Sequence, residues 1–157
     1  MKNNLFSLVR ILGITLVFGV MVTGCASLFG GGGGGPASFV TGATGGETSV
    51  LLRPGLEYEQ AFREVIFVLT RHGFHPEMIN QDAGFIRTQW NHEWHRVAGR
   101  DGVDRYRVRA IVNFNPARDQ LIINPEGEWY QNGAWVRGFD RRAAETLRND
   151  LTMAVGN

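Results

Sequence analysis

Apolar residues between positions 56 and 72 recur three and four residues apart, while most charged side chains fall between them. This spacing places the apolar side chains on one face of a helix. Arg71, His72 and then Gly73 form an order that is typical of a helix C-terminus, where cations and glycine are favoured. The pattern therefore predicts a helix over Leu56–His72.

A second stripe at helical spacing lies near the end of the sequence. Its members are Ala143, Leu147, Leu151 and Val155. Asp140 precedes the stripe, and a carboxylate at that position can accept a hydrogen bond from a backbone N–H of the first turn. We therefore expect a C-terminal helix with Asp140 as its N-cap.

Between these helices, apolar and polar residues alternate at the spacing of β-strands. The clearest case is Arg105–Phe114, where every second residue from Tyr106 is apolar and arginines fall between. Further strands are predicted at Phe74–Asn80, Phe85–His95 and Gln120–Asn124, with a hairpin around Asn132-Gly133 in Glu128–Phe139. Pro125-Glu126-Gly127 is expected to interrupt the strand that precedes it. The predicted fold is α+β, an antiparallel sheet of four to six strands with both helices packed on one face.

The N-terminal 24 residues have the layout of a secretory signal. Lys2 and Arg10 precede a short apolar run that is too short for a comfortable membrane span. Val22-Thr23-Gly24-Cys25 closes this run, and Cys25 is the only cysteine. The segment resembles the lipobox of bacterial lipoproteins, which implies acylation of Cys25 and cleavage before it. An uncleaved signal anchor with a chance cysteine is the alternative.

The lipobox resemblance also implies where in the cell the protein is located. Several acyl chains hold a protein stably on a bilayer, because each buried methylene contributes about 0.8 kcal/mol. Ala26, rather than an aspartate, follows the cysteine, which in that family favours the outer membrane. We therefore expect a lipid-anchored protein at the outer membrane that faces the periplasm.

Residues 25–49 are rich in glycine, serine and threonine, with glycine throughout Gly30–Gly35. Such a composition buries little apolar surface, so a flexible tether is predicted between a signal peptide over residues 1–24 and one domain over residues 50–157. A phosphate-binding glycine loop is the weaker alternative, because no Gly-Lys-Ser/Thr motif follows.

Charge and cysteine content narrow the function classes. Residues 1–24 carry Lys2 and Arg10 and no acidic residue, so the remaining chain falls from a formal charge of +1 to −1. A near-neutral domain gives no support for nucleic-acid binding. If Cys25 is lipidated, no cysteine remains for a disulfide.

Four histidines form two pairs, His72 with His75 and His92 with His95. Residues three apart on a strand point to opposite faces, and the first pair straddles the predicted helix end at Gly73. Surface histidines are therefore favoured over zinc ligands, and we expect no metal and no cofactor.

Arg105, Arg107 and Arg109 alternate along the clearest predicted strand, and Arg87 on a neighbouring strand can extend the row. Such a row on the solvent-facing side could contact acidic headgroups or an acidic partner. The alternative is a solvated face in which the arginines pair with Glu93 or similar carboxylates across strands.

No catalytic group of residues emerges from the sequence. A nucleophile needs a base within reach, yet the serines after Cys25 all fall in the predicted tether. Glu126 and Glu128 lie in a segment expected to be a turn, with nothing to separate their pKa values. The tryptophans, Trp90, Trp94, Trp129 and Trp135, are expected mostly in packing, with at least one exposed at an interaction site. We therefore expect a protein that is not an enzyme.

One further resemblance concerns the domain. A helix followed by Gly73-Phe74, a short strand, Asp82 and Gly84, and a strand with Ile86, Thr88 and Trp90 resembles modules of envelope lipoproteins. The C-component lipoprotein of the outer-membrane β-barrel assembly machine is the example. This chain differs in having one such module. The resemblance implies a helix-and-sheet module and a non-enzymatic binding or assembly role with another envelope protein. The alternative is a lipoprotein that binds lipid headgroups, a glycan or a small molecule.

Overall fold

The computed structural model describes residues 37–42, 46–94 and 105–157. Within these ranges the fold is α+β, as predicted, with two helices and an antiparallel sheet. The elements in chain order are β1 (Phe39–Thr41), β2 (Thr48–Leu51), α1 (Tyr58–Arg71), β3 (Pro76–Asn80), β4 (Phe85–Thr88), β5 (Tyr106–Phe114), β6 (Gln120–Gln131), β7 (Ala134–Asp140) and α2 (Arg141–Val155).

The sheet has the strand order β1-β7-β6-β5-β4-β3, and every pairing in it is antiparallel. β6 is the longest strand and has β5 along one edge. Its other edge is shared, because β2 pairs with residues 120–123 and β7 with residues 126–131. The N-terminal strands thus lie at two places in the sheet, β2 beside β6 and β1 outside β7.

The core lies between one face of the sheet and the two helices. Along β5, Tyr106, Val108, Ala110, Val112 and Phe114 are buried, whereas the residues between them are half-buried. Both helices bury one stripe in the same core, which in α2 consists of the predicted residues Ala143, Leu147, Leu151 and Val155. The opposite face of the sheet, called the outer face here, carries no helix among the described residues.

One boundary of each helix lies where the sequence indicates, whereas α1 begins at Tyr58 and not at the predicted Leu56. α1 stops before Gly73, whose φ of 76° favours glycine, and the Phe74 N–H donates to the Leu69 carbonyl across this end. Asp140 caps α2 as predicted, because its Oδ1 accepts a hydrogen bond of 2.7 Å from the Ala143 N–H. No helix in the described ranges is long and apolar enough to cross a bilayer.

Within the described ranges the sheet contains seven strands, more than the four to six predicted. The additional strands are β1, which lies in the segment expected to be a tether, and β2, which begins in that segment and continues past Ser49 to Leu51. Composition predicts coil there, but Phe39 reaches the core and packs edge-on against the rings of Tyr106 and Trp129. The described part of the domain therefore begins well before the predicted boundary at residue 50.

β1 can lie against β7 because Gly138 has no side chain. A Cβ at that position would overlap the Val40 carbonyl oxygen and lie 2.8 Å from the Phe39 ring. Glycine in a strand often marks such a close approach of another backbone.

Two predicted strand boundaries were wrong. Pro125 does not interrupt the sheet, since β6 runs through it from Gln120 to Gln131. It lies between the part of β6 that pairs with β2 and the part that pairs with β7, where the lack of an N–H costs least. The strand predicted over Phe85–His95 ends at Thr88, with one bridge from Asn91 to Val108 beyond it. His95 lies outside the described residues.

Candidate binding surface on the outer face of the sheet

The four predicted arginines lie together on the outer face of the sheet. Arg107 and Arg109 alternate with core residues along β5, and Arg105 directly precedes that strand. Arg87 on β4 lies opposite Ile111, which shares the outer face with Arg109. Strand periodicity therefore brings the arginines together as the sequence indicates.

Two of these arginines face carboxylates directly across the β5–β6 pairing. Arg107 lies opposite Glu128, and its Nη2 and Nε are 2.6 and 2.9 Å from Glu128 Oε2. Arg109 lies opposite Glu126, whose Oε2 is 2.7 Å from Nε and 2.6 Å from Nη2. Opposite charges at directly paired positions stabilise a sheet, so these pairs help to fix the register.

Glu128 is the central carboxylate of the outer face. Its Oε1 accepts a hydrogen bond of 3.2 Å from Arg137, which lies opposite on β7, while its Oε2 faces Arg107. The Glu128 side chain is only 8% exposed, whereas that of Arg137 is 87% exposed. A carboxylate this buried needs charged partners, and Glu128 has two.

Aromatic rings connect the arginines into a continuous row. The guanidinium carbon of Arg107 lies 4.6 Å from the centre of the Trp90 ring and 4.3 Å from that of Trp135. Arg109 lies 4.5 Å from Trp90. Trp135 packs edge-on against Tyr130 at 5.4 Å, and Arg105 lies 5.3 Å from the centre of the Tyr130 ring. We call Arg109, Trp90, Arg107, Trp135, Tyr130 and Arg105 the arginine–aromatic ladder. Its cation–π contacts hold planar groups in fixed positions on the surface.

Arg87 lies outside this ladder, at the β3 edge of the sheet. Its Nε is 3.0 Å from Glu77 Oε2. The paired carboxylates Glu77, Glu126 and Glu128 match the sequence alternative of cross-strand pairing. Three of the four predicted arginines are thus already engaged with anions.

The outer face also contains a shallow hollow of about 300 Å³. Trp90, Arg109, Glu126, Phe139 and the backbone around Gly46 are among the groups that line it. Glu47 also reaches this hollow, which is therefore both polar and aromatic. A concavity of this kind could take a small polar ligand.

The four tryptophans divide between the core and the outer face. Trp94 is buried against Phe74 and Trp129 packs against the core, whereas Trp90 is half-buried on the ladder. Trp135 is 39% exposed, as expected for at least one tryptophan.

Three of the four histidines line one surface hollow, which joins the end of α1 to the residues after β4. His72, His75 and His92 all contribute to it. His72 Nε2, however, lies 2.7 Å from Asp150 Oδ2, and Arg71 contacts the same oxygen at 2.7 Å. The hydrogen bond from His72, assisted by Arg71, lowers the pKa of the Asp150 carboxyl although desolvation opposes it. Within residues 37–42, 46–94 and 105–157, no three histidine, cysteine or acidic side chains are arranged to hold a metal ion.

One buried carboxylate brings together groups that are distant in sequence. Asp140 Oδ2 accepts hydrogen bonds from the Tyr106 hydroxyl at 2.6 Å and from the Ser38 hydroxyl at 2.7 Å. Burial, together with the charge of Asp140, raises the pKa of Tyr106 far above its usual range. Ser38 is thus near a carboxylate, but this carboxylate is fully buried and already caps α2. This arrangement fits a structural role, in which Asp140 connects the start of β1 with β5 and α2.

Sequence reasoning missed the carboxylates, Arg137 and Trp90 as members of this surface. The signal was present, because Glu126 and Glu128 repeat the two-residue spacing of Arg107 and Arg109. Pro125 concealed it, since it suggested a turn rather than a continuous strand. Cys25, the predicted lipidation site, lies outside the described residues.

Comparison with protein-family models finds no family that matches this chain, and comparison with curated proteins finds no match either.

Proposed function

We propose that this protein is a lipid-anchored lipoprotein of the cell envelope, at the outer membrane and facing the periplasm. Its domain binds another envelope protein and acts as a non-enzymatic binding or assembly accessory. The anchor rests on the lipobox resemblance around Cys25. The observation that carries the binding role is the arginine–aromatic ladder, which lies on a sheet face without a helix over it among the described residues.

The composition of this face suits protein recognition. Tryptophan, tyrosine and arginine are the residue types most often found at the energetic centres of protein interfaces. The ladder also holds these side chains through cross-strand ion pairs and ring contacts, so binding would immobilise few additional rotamers. An ordered aromatic surface therefore favours a binding role.

The anchor is tested separately from the domain. In a Cys25→Ala variant of the full chain, we expect the exported protein to leave the membrane fraction, because acylation requires the thiol. Mass spectrometry of the native N-terminus should find a lipidated Cys25. An unmodified thiol, or a variant that stays membrane-bound, would contradict the lipoprotein assignment.

The binding role is tested by affinity capture of the lipidated protein from detergent extracts. A specific envelope protein should be recovered with the wild type and lost with Trp135→Ala, which removes an exposed ladder ring. Arg148→Ala, a change to an exposed residue of α2, is the matched control. Recovery of the same protein with all three would place the contact elsewhere on the domain.

A second candidate function is the binding of a lipid headgroup, a glycan or a small molecule. The hollow lined by Trp90, Arg109 and Glu126 favours it, because ring and charged groups converge there. Saturable binding of a defined glycan, abolished by Trp90→Ala with the fold intact, would favour this candidate over a protein partner.

A further inference from the structure

We propose that one end of the ladder docks an acidic segment of the partner protein, with a carboxylate beside an apolar or aromatic side chain. The docking end consists of the ladder residues Arg105, Tyr130 and Trp135 together with Arg137, which lies two residues after Trp135 on β7. The inference rests on the proposed function, since it names the chemistry of the partner that this face takes.

Charge is unevenly compensated along the outer face. At the other end of the ladder, Arg109 is the one arginine among the described residues that pairs with Glu126. At the docking end, Glu128 serves both Arg107 and Arg137. Among the described residues, the contact that Arg105 makes through its guanidinium is with the Tyr130 ring. Three guanidiniums thus accompany one carboxylate, which leaves hydrogen-bond donors for an incoming anion.

The groups that would receive the partner are accessible. Arg105 and Trp135 are exposed, and the Arg137 side chain is 87% exposed. Arg137 donates one hydrogen bond, of 3.2 Å, to Glu128. Its other guanidinium N–H groups contact no carboxylate among the described residues. A second anion can therefore bind without displacing the buried one.

The spacing of the receiving groups fits an extended peptide. Trp135 and Arg137 are two residues apart on β7 and lie opposite Tyr130 and Glu128, so both project from the same face. Side chains two apart on a strand lie about 6.5–7 Å apart. An extended segment has the same repeat, and the pattern acidic–any–apolar would place its carboxylate at Arg137 and its apolar side chain at Trp135.

The same features favour a protein segment over an anionic bilayer. An anionic membrane surface attracts basic residues through their net charge, without directed contacts. On this face, most of the arginine charge is neutralised at hydrogen-bond distance by Glu77, Glu126 and Glu128. Diffuse attraction is therefore weak, whereas a carboxylate placed at the docking end gains directed hydrogen bonds and ring contacts.

The test is selection of binding peptides from a random display library against the full-length protein in detergent micelles. We expect enrichment of aspartate or glutamate two positions from an apolar or aromatic residue. A selected peptide should lose at least about tenfold in affinity against Arg137→Gln, the equivalent of one charge-assisted hydrogen bond. Arg148→Gln, an exposed arginine of α2, should leave its affinity unchanged. Unfolding temperatures of the variants report whether the fold is retained.

Two results would overturn the inference. The first is enrichment of peptides without acidic residues, or of acidic peptides that bind Arg137→Gln as tightly as the wild type. The second is co-sedimentation with phosphatidylglycerol vesicles that Arg105→Gln and Arg137→Gln abolish, which would assign the docking end to headgroups. In the first case, capture of an envelope protein that depends on Trp135 would still support the proposed function, so the two failures are distinguishable.

Discussion

At the scale of single residues, the deep burial of Glu128 is unusual for a carboxylate on the open face of a sheet. It projects toward the outer face, yet its side chain is almost fully buried by its neighbours. Arg107 and Arg137 supply its charge partners, one on each adjacent strand. Removing one member of such a group leaves the others without compensation, which usually costs more than the group contributes as a whole.

Replacing Glu128 by glutamine should therefore destabilise the domain. The amide keeps the shape but loses the negative charge, so Arg107 is left half-buried without an anion. We expect a loss of about 2–4 kcal/mol in the free energy of unfolding, measured by urea denaturation. Glu126→Gln is the matched control, because its more exposed side chain pairs with a single arginine, and about 1 kcal/mol is expected there. Equal losses in the two variants would contradict the central role of Glu128.

Tyr106 gives a prediction at alkaline pH. Burial raises its pKa in the folded protein well above the value of about 10 of an unfolded chain. The resulting stability is fully present below pH 10 and is lost as the pH rises further. Tyr106→Phe should cost about 1–2 kcal/mol at pH 7, where it removes the hydrogen bond to Asp140, and should show a smaller decline above pH 10.

Chemical denaturation between pH 7 and pH 11 measures both effects. Tyr130→Phe, which removes a hydroxyl from the outer face, is the control for loss of a phenol group. A decline above pH 10 that is identical in wild type and Tyr106→Phe would show that this tyrosine does not govern the alkaline limb.

At the scale of elements, one contact fastens the two helices to each other. Arg71 and His72 at the C-terminal end of α1 share the carboxylate of Asp150 in α2. Most of the helix pairing is apolar, so this contact contributes orientation more than total stability. It is nevertheless sensitive to acid, because the folded protein holds the pKa of Asp150 below its ordinary value.

We expect Asp150→Asn to lower stability by about 1 kcal/mol at pH 7. A lowered pKa contributes stability above the ordinary carboxyl value near 4, and this contribution disappears as the pH falls below it. Thermal unfolding from pH 7 to pH 2 should therefore show the two curves converging in acid. Glu145→Gln, on the exposed side of α2, should parallel the wild type throughout. A constant gap between Asp150→Asn and wild type at all pH values would contradict the linkage.

Helices, strand periodicity and caps were largely predictable because they follow from neighbours in sequence. Asp140 and Gly73 act on the turn beside them, and the alternation from Tyr106 to Phe114 reports burial on one face. Pro125 was misinterpreted because its effect depends on what lies beside it. Its position between two partner strands is a property of the sheet, and local sequence does not contain that information.

At the scale of the whole molecule, amino-acid composition did not predict where the folded domain begins. The segment around Phe39 is rich in small residues, which indicates coil on local grounds. A single aromatic ring and the Ser38 hydroxyl nevertheless tie it to Tyr106, Trp129 and Asp140. The outer-face surface was partly predictable for a similar reason, since the arginine row is local and its glutamate partners lie on another strand.

Truncation tests this boundary. A chain that begins at residue 50 lacks β1 and half of β2, whereas one that begins at residue 36 keeps both. Losing the packing of the partly buried Phe39 ring alone should cost about 2 kcal/mol. We therefore expect the shorter chain to unfold at least about 10 °C lower, or not to fold. Equal unfolding temperatures would show that the first two strands are dispensable.

The pairing of β1 with β7 also has a consequence for the order of events during folding. Ser38 and Asp140 are 102 positions apart, so the first strand gains its neighbour only once nearly the whole polypeptide is available. Contacts this remote slow the search for the native topology. When the chain emerges N-terminus first from a ribosome or an export channel, Phe39 therefore lacks its strand partner until β7 has emerged. The sheet is completed only when synthesis or export is nearly finished.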